Sequence, residues 1–344
     1  MLGGVLWLAS RLLWPLAAAG RVVQLARRLE AASPASLYRD CVRTGATPLE
    51  AHIWRSLHAT AHPLPARASA LLMARLGDPD ARILLADKLA AGTMLSGLGI
   101  KVPRTLRLLA RGQPVTFPEQ PPWRGPLFVK PRRGYGGRGG LALTEHGEGW
   151  LLDGRPASTG AVQGRLSRLA AHDDLLVQDR LLASSDLADL AVEGRAPVLR
   201  LVTTRRRKAG PVLHSALLTI PTPDHDPRHF LKGAVHAPID LTTGRMTRGV
   251  SLSDPRNRLE RLAWSPAPLA GRRLDGFHQA VEGALAAMGA LDLPLVHWDV
   301  IQTGAGPVFL EGNTSGNWII ASLPDLDDLS AGSLSDVLAS WSTP

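Results

Sequence analysis

Cysteine occurs once in these 344 residues, so no disulfide can form within the chain. Tyrosine occurs twice, and only five of the 39 basic residues are lysine, the rest being arginine. The chain also lacks a long uncharged apolar run. Residues 1–30 are rich in leucine, with Trp7 and Trp14, but Arg11 interrupts them and Pro15 follows. Burying that arginine in the middle of a bilayer would cost about 2.5–3.5 kcal/mol, which argues against a spanning helix. A secretory signal would carry its charge ahead of the apolar stretch, not within it. No Gly-x-Ser-x-Gly elbow and no His-Glu-x-x-His pair occurs, so neither a serine-elbow hydrolase nor a helix-borne zinc protease is indicated. The formal net charge of +9 raises the question of polyanionic partners. The arginines are scattered, however, with no basic stripe interleaved with stacking aromatics, so nucleic acid is not indicated as a partner. No internal repeat stands out.

What is present is a 45% hydrophobic chain long enough for two or three lobes with substantial cores. Near its C-terminal end, Leu-Pro-Leu-Val-His-Trp-Asp299-Val-Ile and Pro-Val-Phe-Leu-Glu311-Gly-Asn313 flank the turn Gln-Thr-Gly-Ala-Gly. This reads as two apolar strands of a hairpin. A turn centred on Ala305 sets Asp299 opposite Glu311, where Cβ atoms lie about 4.5–5.5 Å apart and like charges repel. A divalent cation between the carboxylates would relieve that repulsion. Asn313 projects from the same face by the period of two and adds a third hard oxygen, which suits Mg²⁺. A one-residue change of register would undo the pairing, and the plain alternative is a hairpin with a solvated acidic face. His297 shares the face of Asp299, either to approach a metal or substrate or as a satisfied core histidine.

Upstream lies Gly-Pro-Leu-Phe-Val-Lys130-Pro-Arg-Arg-Gly134-Tyr-Gly136-Gly137-Arg138-Gly139-Gly140-Leu-Ala-Leu. The glycines at 134, 136 and 139 satisfy the Gly-x-Gly-x-x-Gly spacing of dinucleotide folds. Those folds need a helix directly after the loop, whereas Leu141-Ala-Leu-Thr is extended. The stretch therefore reads as strand, flexible glycine loop and strand. Such a loop lets backbone N–H groups close over phosphates while Lys130 neutralises their charge; the alternative is a glycine-rich surface hairpin. With arginine accepted almost everywhere, a lysine kept at 88 and 130 points to a compact ammonium in place of a planar fork. Lys88 lies in a short helix ending at Gly97 or Gly99, before an extended Val-Pro segment; the alternative is a helix-surface lysine.

Taken in order, the helix-borne lysine, the strand lysine with its glycine loop, Leu-Leu-Val-Gln178-Asp-Arg-Leu, the strand arginine in Val-Leu-Arg200-Leu-Val-Thr-Thr, and His-Trp-Asp299-Val with Glu311-Gly-Asn313 resemble the ATP-grasp superfamily. They are most similar to its sugar-transfer associated branch, over roughly residues 80 to 322. The resemblance implies an α+β fold in which two lobes grip ATP, preceded by an N-terminal helical region. Residues 1–79 would be that region, 80–182 the first part with glycine loop and hinge, 183–322 the second lobe with the metal site, and 323–344 a tail. Lys88 and Lys130 would bind the α- and β-phosphates, and the loop with Gly134, Gly136, Gly137 and Gly139 would cover the triphosphate. Segment 175–182 would be the hinge, with Gln178, Asp179 and Leu181 at the adenine edge; Gln178 stands where the family often has glutamate. Arg200 would be the catalytic residue contacting the γ-phosphoryl group. Asp299, Glu311 and Asn313 would bind Mg²⁺, with Mn²⁺ as a substitute. Asp186 is a weaker candidate for the ribose hydroxyls.

The implied chemistry is activation of a carboxylate by ATP to an acyl phosphate, followed by amine attack to give an amide, ADP and phosphate. The acid and amine would be small molecules or glycan-linked, the glycan resting on the branch's name alone. Such a site needs positioning and charge neutralisation more than a covalent nucleophile. A kinase on the same fold, or a membrane-associated nucleotide-binding scaffold without turnover, are the alternatives. An ATP-dependent enzyme points to the cytoplasm. Residues 1–30 would either lie on the cytoplasmic face of a membrane or pack on the body, Arg21, Gln24 and Arg28 forming a polar stripe.

The remaining segments read as structure. Short helices continue over 36–75, broken by Gly45, Pro48 and Pro63; Cys41 is a buried helix residue. Strands are expected over Val212–Ile220 and Ala234–Ile239, separated by a Pro, Asp and His loop from Pro221 to His229. A loop then runs to Pro268, and an amphipathic helix from Arg273 ends at Gly289.

Overall fold

The computed structural model describes residues 18–19, 21–23, 33–56, 65–113, 115, 125–134, 139–147, 149–223, 233–314 and 334–342, with the backbone alone for 66–69. Gly136, Gly137, most of the loop from Pro221 to His229, and most of residues 1–30 lie outside the described residues.

The first lobe is a six-stranded antiparallel sheet. Its strands are β1 (Thr105–Leu109), β2 (Leu127–Pro131), β3 (Leu141–His146), β4 (Gly149–Leu152), β5 (Arg155–Ala157) and β6 (Leu175–Asp179), in the order β1-β6-β2-β3-β4-β5. The register Val129 opposite Leu141 confirms that the segments on either side of the glycine stretch are paired strands. One helix, Thr159–Ala170, covers this sheet through Val162, Leu166 and Ala170.

The second lobe is a seven-stranded sheet of β7 (Val198–Thr204), β8 (Val212–Pro221), β9 (Ala234–Pro238), β10 (Gly249–Ser251), β11 (Asp254–Leu259), β12 (Leu295–Thr303) and β13 (Gly306–Asn313), ordered β11-β10-β9-β8-β7-β12-β13. β10 and β11 fall where the sequence suggested only a loop. Pro255 obscured β11, and it is tolerated there because β11 is the sheet's edge, where a missing donor breaks no ladder. One face packs on the helix Phe277–Gly289. Val296, Trp298 and Val300 from β12 join Ala280, Ala284 and Ala287 of that helix in the main core. The helix ends as the apolar period indicated but begins four residues later, with Gly276 in the left-handed region ahead of it.

Ahead of the first sheet run α1 (Pro34–Thr44), α2 (Pro48–Ser56), α3 (Ala66–Met73), α4 (Pro79–Ala86) and α5 (Lys88–Gly97). α1 stops at Gly45, at φ 73° in the left-handed region that favours glycine. α1 and α2 bury Leu37, Cys41, Ile53 and Trp54, together with Ala18 and Val22, against Leu217, Val250 and Leu252 of the second lobe. Burial, with Asp40 and Glu50 adding to it, pushes the Cys41 thiol up to about 11, so it behaves as a small apolar side chain. α4 and α5 contribute Ala81, Leu85, Ala91 and Leu95 to the second lobe's core, although they precede the first sheet in sequence. A last helix, α8 (Leu334–Ser342; α6 and α7 being the sheet-covering helices Thr159–Ala170 and Phe277–Gly289), joins α3 over Val202 and Leu295.

Candidate functional site

β7, β12 and β13 lie side by side, and alternate residues of each face away from the main core. The direct pairings Arg200 with Asp299 and Asp299 with Glu311 set three charged side chains in one row; His297 with Asn313 forms the next. The hairpin turn is the two-residue Gly304-Ala305, so pairing begins at Thr303 opposite Gly306 and reaches Val300 opposite Phe309. Continued unchanged, that register would set Asp299 against Leu310 and turn Glu311 to the core side. A bulge between Asp299 and Val300 restores Asp299 opposite Glu311. Gly312 is required beside it, since a Cβ there would lie 2.6 Å from Trp298 Cζ3.

Arg200 and Asp299 form a buried two-pronged pair, Nε to Oδ1 at 2.8 Å and a terminal nitrogen to Oδ2 at 2.9 Å. Burial works against the guanidinium charge, but Asp299, with Glu311 behind it, outweighs this and holds the Arg200 pKa above its ordinary value. Lys130 is the fourth residue of β2, and its Nζ lies 3.4 Å from the carbonyl oxygen of Leu310, beside the bulge. Burial pushes the Lys130 ammonium down from 10.5 to about 8; Glu311 opposes that push, Lys88 adds to it and Asp299 opposes it. Lys88, the first residue of α5, donates from Nζ to the Gly134 carbonyl at 2.5 Å and lies 3.5 Å from Glu311 Oε2. Asn313 Nδ2 donates to Glu311 Oε1 at 3.1 Å. His297 is buried; desolvation first, then Arg200 and His214, push its pKa down to about 3, so it is a neutral imidazole.

A cavity of about 420 Å³ opens onto this cluster, lined by Lys88, Gly92, Val102, Gln178, Leu310 and Glu311 among others. Gln178 at the end of β6 reaches it and donates from Nε2 to Thr105 Oγ1 at 3.0 Å. Asp179 turns its carboxylate outward to Arg104 Nε at 2.8 Å. The amides of Asp179 and Arg180 donate to the carbonyls of Arg104 and Pro126, whereas Leu181 follows in the strand-to-coil exit. Asp186 sits in a 3₁₀ turn, Ser185–Leu190, with a buried Oδ2 that meets no donor among the described residues.

Lys88, Lys130, Gly134, Gln178, Arg200, Asp299, Glu311 and Asn313 therefore converge, although the sequence spreads them over more than two hundred residues. Gly139, at φ 78°, roots the far end of the glycine loop. A Cβ on it would come within 3.0 Å of Pro131. The donor set, two facing carboxylates and an amide, is of the kind that suits a hard divalent cation. Among the described residues no group of three or more His, Cys, Asp or Glu is placed to hold a metal ion, so the set rests on two carboxylates and the Asn313 amide. Reading the motifs one by one missed Asp87 and Arg132, which lie beside Lys88 and Lys130 in the chain, and Asp174; Arg132 pairs with both aspartates. Asp87 had a legible signal, an aspartate directly ahead of a helix start.

The model of the sugar-transfer associated ATP-grasp family matches residues 67–329. The chain belongs to this family. Among solved structures, it is similar to D-alanine–D-alanine ligase from Bacillus anthracis complexed with ATP. That match has 14% identity and TM-score 0.44, and covers 75% of this chain and 65% of the ligase. It is also similar to the D-alanine–D-alanine ligase from Helicobacter pylori, with 13% identity, TM-score 0.46 and coverage of 77% and 61%. L-amino acid ligase from Bacillus licheniformis matches at 12% identity and TM-score 0.46, over 86% of this chain and 59% of that one. The ATP-grasp chain thus spans about three fifths of the length of these proteins. No curated protein matches its sequence.

Proposed function

We propose that this ATP-grasp protein is an ATP- and Mg²⁺-dependent ligase that activates a carboxylate as an acyl phosphate for attack by an amine, on a glycan or sugar-linked precursor. The observation that carries the reading is the cluster of Lys88, Lys130, Arg200, Asp299, Glu311 and Asn313, joined by contact and strand register, beside a cavity that Lys88 and Glu311 line. The sugar-linked substrate is supported by the family's description alone.

Lys88 and Lys130 neutralise the α- and β-phosphates, while the loop rooted at Gly134 and Gly139 closes over the triphosphate. Leu181 offers the hinge amide to the adenine edge, since those of Asp179 and Arg180 are engaged within the protein. Asp299, Glu311 and the amide oxygen of Asn313 hold the cation, Mg²⁺ or Mn²⁺, which when bound neutralises and orients the phosphates. Without nucleotide, each carboxylate rests on a cation of the protein: Asp299 on Arg200, Glu311 on Lys88. A bound cation would compete with Arg200 and Lys88 for these carboxylates, and phosphate oxygens would offer the two cations other partners. A substrate carboxylate oxygen then attacks the γ-phosphorus, and the bond to the β-phosphate oxygen breaks with departure of ADP. Arg200 meets two equatorial oxygens of the phosphoryl group in transfer. The amine nitrogen attacks the acyl carbon, phosphate leaves with the C–O electron pair, and the nitrogen loses a proton.

ATP dependence supports a cytoplasmic location. Among the described residues no helix is long and apolar enough to cross a membrane. The burial of Ala18 and Val22 supports packing on the body for that part of residues 1–30. Contact with the cytoplasmic face of a membrane is tested by flotation with anionic vesicles, full chain beside a chain lacking residues 1–17; equal partitioning removes it. The central test is the melting temperature with a non-hydrolysable ATP analogue and Mg²⁺. Linkage requires a metal-dependent rise, and its absence at millimolar nucleotide overturns the reading. ADP release that requires both an acid and an amine separates ligase from kinase.

A further inference from the structure

Helix α5 carries Lys88 at its first turn but is anchored in the core of the second lobe, through Ala91 and Leu95. Lys130 belongs to the sheet of the first lobe. The distance between the two ammonium groups therefore depends on how the first lobe's sheet is fastened to the start of α5, and that fastening is concentrated on one residue. Arg132 stands two residues after Lys130 and two before Gly134. Its Nε lies 2.8 Å from both carboxylate oxygens of Asp87, and a terminal nitrogen lies 2.7 Å from Oδ2. Its other terminal nitrogen donates to Asp174 Oδ2 at 3.1 Å. The backbone follows the same path: the Lys88 amide donates to the Arg132 carbonyl at 3.0 Å, and the Arg132 amide to the Asp174 carbonyl at 2.8 Å.

Asp87 closes the assembly from the helix side. Its side chain caps α5, accepting from the amides of Leu89 at 3.1 Å and Ala90 at 3.3 Å, while it holds Arg132. The hydrogen bond from Arg132 is the main cause that holds the Asp87 carboxyl below its ordinary range. Arg133 adds a contact to Asp87 at 3.4 Å. All these side chains are at most a quarter exposed except that of Arg133. Neither Asp87 nor Arg132 lines the cavity, and their polar atoms are engaged with each other, the α5 amides and Asp174.

We infer that Asp87, Arg132 and Asp174 form a clamp across the two lobes, whose work is to fix the spacing of Lys88, Lys130 and the Gly134 end of the glycine loop for a nucleotide triphosphate. These are positioning residues, and the inference rests on the nucleotide reading given above. An ion pair is suited to this task because three short contacts on a planar guanidinium define angles as well as distance. Arg132→Lys keeps the charge without the fork.

The test measures the affinity of the full chain for a non-hydrolysable ATP analogue with Mg²⁺ by calorimetry, at a temperature where every variant is folded. Asp87→Asn retains the cap, since asparagine caps helices as well as aspartate does, and removes the charge pair. Arg132→Lys is the milder variant, and Asp40→Asn, which breaks the distant pair with Arg55, is the control. Asp87→Asn is expected to weaken the analogue by about tenfold, the lower end of what outer partners of a ligand shell supply, with Arg132→Lys between it and wild type. The control should bind as wild type does. A merely structural role would lower the melting temperature of Asp87→Asn and leave its affinity at the wild-type value, and that result overturns the clamp while the nucleotide reading stands. Absence of binding by the wild type overturns both.

Discussion

Lys130 is the residue at which folding and the proposed function pull in opposite directions. Its pKa of about 8 in the folded chain lies below the ordinary lysine value of 10.5. Between those values the unfolded chain binds more protons than the folded one, so this residue's contribution to stability rises with pH across that window. Below pH 8 the folded state carries the full cost of a buried ammonium, on the order of 3 kcal/mol at the usual free energy per pKa unit. Lys130→Met should therefore raise the melting temperature of the nucleotide-free protein at pH 7 by several degrees, and by less at pH 10. The same variant should lose the nucleotide-dependent rise. Arg200 behaves in the opposite way. Arg200→Ala leaves Asp299 buried without its guanidinium, which costs roughly 3–5 kcal/mol, measurable as a lower urea midpoint. Arg200→Lys keeps a charge there and should fold, while losing turnover because a flexible ammonium lacks the planar fork that holds two phosphoryl oxygens in fixed geometry.

At the scale of the element, the hairpin of β12 and β13 shows how the sequence reading arrived at the right pairing through a simpler geometry than the one found. A turn centred on Ala305 and a two-residue turn at Gly304-Ala305 corrected by a bulge both set Asp299 opposite Glu311. Only the second leaves an extra backbone step, and with it the Leu310 carbonyl beside Lys130. Bulges are not legible in an alternating pattern, because one added residue merely shifts the phase of the pattern. The tight approach of Trp298 to Gly312 yields an expectation of its own. Gly312→Ala should destabilise the protein on the order of 1–3 kcal/mol by overpacking. It should also weaken the metal-dependent part of nucleotide binding, because Glu311 and Asn313 flank the displaced backbone. Thermal melts and titrations with and without Mg²⁺ would measure the two effects separately.

At the scale of the whole molecule, helices from both ends of the chain cover the same face of the second sheet that bears Arg200 and Asp299. α1 and α2 cover Leu217, the partner of Arg200 on β8, and α3 with α8 covers Val202 and Leu295. Trp341 ties α8 down: its Nε1 donates to the Arg205 carbonyl at 2.6 Å, and the Arg205 guanidinium lies 5.8 Å from its ring centre. Trp341→Ala should cost roughly 3–5 kcal/mol, the range for truncating a buried tryptophan. It should leave nucleotide affinity unchanged, because α8 touches neither lysine nor carboxylate of the site. A midpoint in urea together with a titration would check both halves.

The sequence by itself determined the local facts: an extended segment before and after the glycine loop, an amphipathic helix ending at Gly289, a hairpin carrying two carboxylates, and lysines at 88 and 130 in a chain that mostly uses arginine. These follow from periodicity, turn residues and side-chain chemistry acting over a few residues, and their order along the chain was enough to show the family resemblance. Tertiary structure alone decided that α5 belongs to the second lobe's core, that Asp299 rests on Arg200 and Glu311 on Lys88, and that Arg132 binds Asp87 and Asp174. Each of these is a contact between residues more than forty positions apart. Side-chain type restricts such contacts but does not choose among them, because the chain has many arginines and many aspartates and only the packing of the lobes selects which ones meet.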